Sequence, residues 1–335
     1  MNAKTWISSL FRALVSIGLI FALIYIMRDS LPGMMATLKR ASPSLFILSA
    51  LVYLAAMLIT SFRLRILLAL QGIKMATVDV FRLNLVGCFF SSFLPTSVGG
   101  DIVKAFYISK EAKRATQAYT SVFIDRFLGM FTIFLIALTA LILTKDTSGF
   151  RLTWLLAILI AGSLLLMLVL FNKKLAKNFS LPIMFLIPAK IKNEIKNVYN
   201  ALHNYKNHKR EIFDCFVLSA IGQIVAFSAA YFLALGIKSY IPLRLTLLVM
   251  PVSSIVSMLP SINGVGPREM SIVFMLKPFI GESAAGAIAF LWLGLVLLAA
   301  LLGGIAYMFM GHYKLNIETI TKIQETTLRQ AQDGS

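Results

Sequence analysis

The chain has 335 residues, of which 59% are hydrophobic and only 14% charged. Soluble globular chains carry roughly 25% charged residues, so water is excluded as the solvent for most of this one. Its 32 basic against 14 acidic residues point to anionic lipid headgroups rather than nucleic acid, because no basic stripe lies on a water-soluble fold.

The first apolar segment, residues 7–27, follows Lys4, carries Arg12 and ends without a small-residue cleavage pattern, so it is expected to remain as a signal anchor. Stretches free of Asp, Glu, Lys and Arg follow at 44–62, 83–100, 127–144, 152–172, 215–237, 245–267 and 283–311. A helix rising about 1.5 Å per residue needs about twenty residues to cross a core of about 30 Å. Six of the eight segments fit as ordinary transmembrane spans. The other two contain helix breakers: Pro95, Gly99 and Gly100 in the first, and Pro251, Pro260, Gly264, Gly266 and Pro267 in the second. The expected fold is therefore an all-α integral membrane protein of about six spans with two Pro/Gly-broken re-entrant segments, near 83–100 and 245–280. Residues 1–311 form a single membrane domain with a basic loop at 173–214, and 312–335 form a short tail.

The positive-inside rule orients this arrangement. The loop at 173–214 holds nine basic residues and is placed in the cytoplasm. If the first broken segment enters and leaves by the cytoplasmic face and the second by the outer face, 23 basic residues lie inside and nine outside, with both termini cytoplasmic in a plasma or inner membrane. The helix expected over 101–119 mixes Lys104, Lys110, Lys113 and Arg114 with apolar residues and reads as an interfacial helix.

The two breaks also resemble each other. FLPTSVGGD (93–101) and MLPSINGVG (258–266) align without a gap at an offset of 165 residues, and the same offset superposes flanking spans that run in opposite directions. That is the pattern of an inverted-topology repeat, whose broken helices meet near the midplane to form a substrate site.

Charged residues in such segments cost at least about 2.5 kcal/mol at the bilayer centre, so they mark candidate sites. Asp101 and Lys104 follow the first break, Asp125 and Arg126 stand at the mouth of the fourth segment, and Arg268 and Glu269 follow the second break. Arg268 and Arg126 are expected to contact a lipid phosphate, with Glu269, Asp125 and Asp101 as counter-ions or proton carriers. Arg63 and Arg65 read as helix-end arginines that snorkel to the interface, and Asn84 and Gln223 as interhelical hydrogen-bonding groups. Cys88 and Cys215 lack metal-ligand spacing, the three histidines have no triad partners, and no P-loop motif occurs, so no catalytic residue, metal or cofactor is assigned.

LPTSVGGDIVKAF (94–106), the Asp125-Arg126 pair and LPSINGVGPRE (259–269), in that order, resemble the transmembrane region of lysylphosphatidylglycerol synthases and their flippase-like relatives. The resemblance covers roughly residues 10–310. It implies a lipid-translocating domain and singles out Pro95, Gly99, Gly100, Asp101, Arg126, Pro260, Gly264, Gly266, Arg268 and Glu269. Asn263 and Pro267 depart from the family's glycine and small aliphatic residue, which bears on the shape of the second break. The 24 residues after Gly311 are too few to fold the soluble transferase domain of the bifunctional synthases. The resemblance therefore implies translocation of an anionic or modified phospholipid or a polyprenyl-linked lipid. A lipid lysyltransferase or its membrane subunit, and a non-transporting envelope scaffold, are the alternatives. Membrane phospholipids, and lipid-modifying or envelope-synthesis enzymes, are the partners expected.

Overall fold

The computed structural model describes Tyr25 and residues 28–93, 99–144, 157–164, 201–259, 261 and 263–309. Among these residues the chain is helical with no strand. A single helical turn at Arg28–Ser30 leads into α1 (Leu31–Lys39), followed by α2 (Pro43–Leu70), α3 (Thr77–Phe93), α4 (Gly99–Ala112) and α5 (Ala115–Thr144). After a helical stretch at 157–164 and a short turn at Tyr205–Asn207 come α6 (Lys209–Gly236), α7 (Leu243–Val256), α8 (Pro267–Ile280) and α9 (Glu282–Phe309). Four of these, α2, α5, α6 and α9, are long and apolar enough to cross a membrane. Nearly all of the segment at 7–27, the tail and most of the 152–172 span lie outside the described residues, as does the basic loop before residue 201.

The repeat extends beyond the nine aligned residues. Helices α6, α7, α8 and α9 start 166, 166, 168 and 167 residues after α2, α3, α4 and α5. Equivalent helices α2 and α6 lie side by side and antiparallel. Ser42 N–H donates to the Gly236 carbonyl at 2.9 Å. Gly222 sits against Thr60 and the Ala56 carbonyl, and Arg63 reaches Ser219 at 2.6 Å. The two halves are therefore inverted. Small residues at this seam allow the close approach that holds helices together where lipid supplies no hydrophobic drive. The exchange is reciprocal, since α3 packs on α9 and α7 packs on α5.

Both broken segments fold as hairpins. Gly100 in α4 meets the Gly87 carbonyl in α3 and Lys104 further along α4 meets Asn84 further back along α3, so the two limbs run antiparallel in close contact. The end of this hairpin returns to its beginning, where Arg114 Nη1 donates to the Gln71 carbonyl at 3.3 Å. Lys113, at φ 53°, supplies the left-handed turn into α5. In the second hairpin, Ile241 and Ile280 at its two ends share an apolar cluster with Leu38 and Ala41. At about 1.5 Å per residue, the 17 and 14 residues of α3 and α4 make limbs of about 25 and 21 Å, short of a full crossing.

The structure corrects the expectation of an interfacial helix over 101–119. That stretch is α4 plus the first turn of α5, and Val103, Lys104, Ala105, Tyr107 and Ile108 of α4 are buried between α3 and α5. Its lysines suggest a surface helix because Lys110 and Lys113 are exposed, whereas Lys104 faces inward.

Candidate functional site

Helix breaks bring the polar groups together. In the second break Asn263 adopts φ 50° and Gly264 and Gly266 adopt φ 75° and 97°. Asparagine is among the residues that tolerate this left-handed region, so the departure at 263 keeps the turn while adding a side chain. That side chain donates to Ser92 Oγ at 3.2 Å, tying the second break to the end of α3. Gly264 has no room for a Cβ, which would lie 2.9 Å from the Ser257 carbonyl oxygen.

Beyond this turn α8 starts at Pro267, a residue suited to the first helical position because its missing N–H needs no partner there. Glu269 reaches back to accept from Gly266 N–H at 2.7 Å, capping the helix. Its other oxygen accepts from Arg268 Nε and Nη2 at 3.0 and 2.8 Å. Both side chains are buried. Glu269 thus neutralises Arg268 and fixes its orientation.

The first half supplies a chain of alternating charge. Arg63 Nε on α2 donates to Asp125 Oδ1 on α5 at 2.7 Å. Asp125 Oδ2 faces Lys104 Nζ on α4 at 3.9 Å, Lys104 pairs with Asp101 Oδ1 at 3.1 Å, and Asp101 Oδ2 pairs with Arg126 Nη1 at 3.5 Å. The chain runs from depth to opening, with Arg63 at 5% side-chain exposure and Arg126 at 43%. Asp125 and Arg126, neighbours in sequence, serve different partners because successive helical residues diverge around the axis.

Polar neighbours secure the buried members. Lys104 also donates to Asn84 Oδ1 at 3.1 Å, and Asn84 Nδ2 donates to Ser61 Oγ at 2.7 Å. Arg63 is held by Ser219, whose hydroxyl also meets Thr132 at 2.9 Å. Gly129 lies beside the guanidinium, and a Cβ there would meet Arg63 at 3.6 Å, an ordinary van der Waals contact. Pairing and hydrogen bonding on this scale offset the penalty of burying charge.

All four cations and both aspartates line one cavity of about 370 Å³, together with Asn84, Gln223 and Asn263. Met57, Met130, Ile133, Met258 and Val296 provide its apolar wall. The volume suits a lipid headgroup and falls within the usual range for small-molecule sites of about 300–1,000 Å³. Of the residues expected at the site, Arg268, Arg126, Asp125, Asp101 and Lys104 converge here, while Glu269 stands behind Arg268. Gly99 and Gly100 are buried at the start of α4; Pro95 and Pro260 lie outside the described residues.

A family model, Lysylphosphatidylglycerol synthase TM region, matches residues 9–304. The chain belongs to that family. It is a multi-pass membrane protein related to lipid modification or transport. No curated protein and no solved structure matches the chain. The matched region of this lysylphosphatidylglycerol synthase TM region protein encloses both hairpins and every charged residue of the cavity.

Arg63, Asn84, Gln223 and Gly129 are among the lining residues to which the sequence alone assigns no substrate role. Arg63 reads as a helix-end residue because the charge-free run stops at Phe62, yet α2 continues to Leu70. The available signal is the apolar continuity beyond that run, through Leu64, Ile66, Leu67 and Leu68.

Proposed function

We propose that this protein moves a lipid across the bilayer by passing its anionic headgroup through the cavity between the two inverted hairpins. The observation that carries the reading is the cavity's lining of four cations against two carboxylates, within a helical membrane fold. Arginine forks match phosphate oxygens in pairs, and Arg268 and Arg126 present such forks to the space. The apolar wall of methionines, Ile133 and Val296 faces the same space and accommodates the part of the lipid adjoining the phosphate. The inverted repeat supports transport because two oppositely oriented halves can exchange roles around a fixed central site. The family's name links it to lipid chemistry, in keeping with a lipid substrate.

The test is reconstitution of the full chain in vesicles carrying fluorescent phospholipids, with an impermeant quencher reporting movement between leaflets. Lipid movement above protein-free vesicles is expected. Arg268→Ala should slow it by roughly tenfold or more, since hydrogen bonds to charged groups contribute about 1.5–3 kcal/mol. If no labelled lipid moves while Arg268→Ala retains its cellular role, the translocation reading fails.

A further inference from the structure

We infer that the cavity selects a lipid with a singly charged phosphodiester headgroup and discriminates against one bearing an added ammonium group; as a transport substrate assignment this rests on the translocation reading above. Among the described residues, the charges in and directly behind the cavity are Arg63, Lys104, Arg126 and Arg268 against Asp101, Asp125 and Glu269, leaving one net positive charge. One phosphodiester monoanion brings the enclosed set to neutrality. A lysine-esterified phosphatidylglycerol, with two ammonium groups and one phosphate, raises it to two positive charges instead. A headgroup carrying two negative charges overshoots in the other direction.

The pairing pattern argues the same way. Every oxygen of the three carboxylates already faces a protein partner. Glu269 accepts from Arg268 and Gly266 N–H. Asp125 faces Arg63 and Lys104, and Asp101 faces Lys104 and Arg126. An incoming ammonium group must therefore displace a cation that the protein holds. Donors are differently placed. Arg268 uses Nε and Nη2 on Glu269, and Arg126 uses Nη1 on Asp101, so each guanidinium retains nitrogens for phosphate oxygens. With charge-assisted bonds strengthened away from water, this imbalance favours an acceptor-rich, singly negative group.

Native mass spectrometry of the full chain, offered equal amounts of phosphatidylglycerol, phosphatidylcholine and lysine-esterified phosphatidylglycerol, reads the selection directly. Phosphatidylglycerol should be retained at least tenfold over the lysine ester, and Arg126→Gln, at a half-exposed position, should reduce that ratio severalfold. Equal retention, or preference for the lysine ester, overturns the inference. Displacement of bound phosphatidylglycerol by equimolar soluble glycerophosphoglycerol would assign the site to a free phosphodiester and overturn the lipid assignment. The same lipids in reconstituted vesicles separate the two readings. Selective retention without movement sinks translocation and leaves selective binding standing, whereas equal movement with equal retention sinks selectivity alone.

Discussion

Arg63 and Arg126 belong to one chain of charge yet differ in what each holds in place. Arg63 is buried, and its removal strands Asp125 in a low-dielectric interior with Lys104 at 3.9 Å as its remaining ionic partner. Breaking a buried pair from one side costs about 3–5 kcal/mol. Arg63→Ala is therefore expected to lower the midpoint of thermal unfolding in detergent by several degrees, and Arg63→Met combined with Asp125→Leu to recover much of the loss. A double variant as unstable as the single one would show that Arg63 contributes by packing rather than by compensating Asp125. Arg126, with 43% of its side chain exposed, forms a longer ion pair at the opening. Such pairs contribute about 0–1 kcal/mol, so Arg126→Ala should leave stability nearly unchanged while impairing lipid movement in the vesicle assay. The residue types at the site are legible in sequence because charges are scarce in this chain. Their partners are not: Arg63 and Asp125 are 62 positions apart, and only the packing of α2 on α5 joins them.

At the scale of elements, the hairpins depend on glycine where backbones touch. A Cβ on Gly100 would collide with the Gly87 carbonyl and Ser91 Oγ, and one on Gly303 with the Leu85 carbonyl, where α9 crosses α3. These clashes involve backbone, which cannot swing aside as a side chain does. Gly100→Val and Gly303→Val are each expected to cost about 1–3 kcal/mol or more through overpacking, seen as a lowered unfolding midpoint and reduced yield of folded protein. Gly162 provides the contrast, since a Cβ there meets nothing within 4 Å among the described residues. Gly162→Ala should be neutral or stabilising by up to about 1 kcal/mol from helix propensity. If Gly100→Val behaves like Gly162→Ala, the limbs of the first hairpin do not pack as described. Pro and Gly in the sequence reveal that both segments break. The extent of the limbs is hidden because α3 begins at Thr77, before Asp79 and Arg82, so charge-free runs understate the helix.

For the whole molecule, the repeat keeps the scaffold but not the pattern of charge. At the 165-residue offset, Asp125 and Arg126 correspond to Phe290 and Leu291, and Arg63 to Ser228. Inversion itself can be read only from orientation, and the antiparallel contact of α2 with α6 supplies it. The consequence is a definite sidedness. Lys74, Lys113 and Arg210 are exposed near one end of the bundle, where Arg114 meets Gln71 and Gln71 Nε2 donates to the Ala201 carbonyl at 2.7 Å. Lys39 and Lys238 are exposed at the other end, where Ser42 meets Gly236. Single cysteines at these five positions should therefore fall into two groups when intact cells are treated with a membrane-impermeant thiol reagent, after subtraction of the signal from Cys88 and Cys215. The basic excess predicts that positions 39 and 238 label from outside, while 74, 113 and 210 react only after the membrane is permeabilised. Position 113 is decisive, since a first hairpin that crossed fully would move it to the side of 39 and 238. Labelling of 113 together with those two would break the re-entrant arrangement, whereas wholesale exchange of the two groups would keep the hairpins and reverse only the orientation.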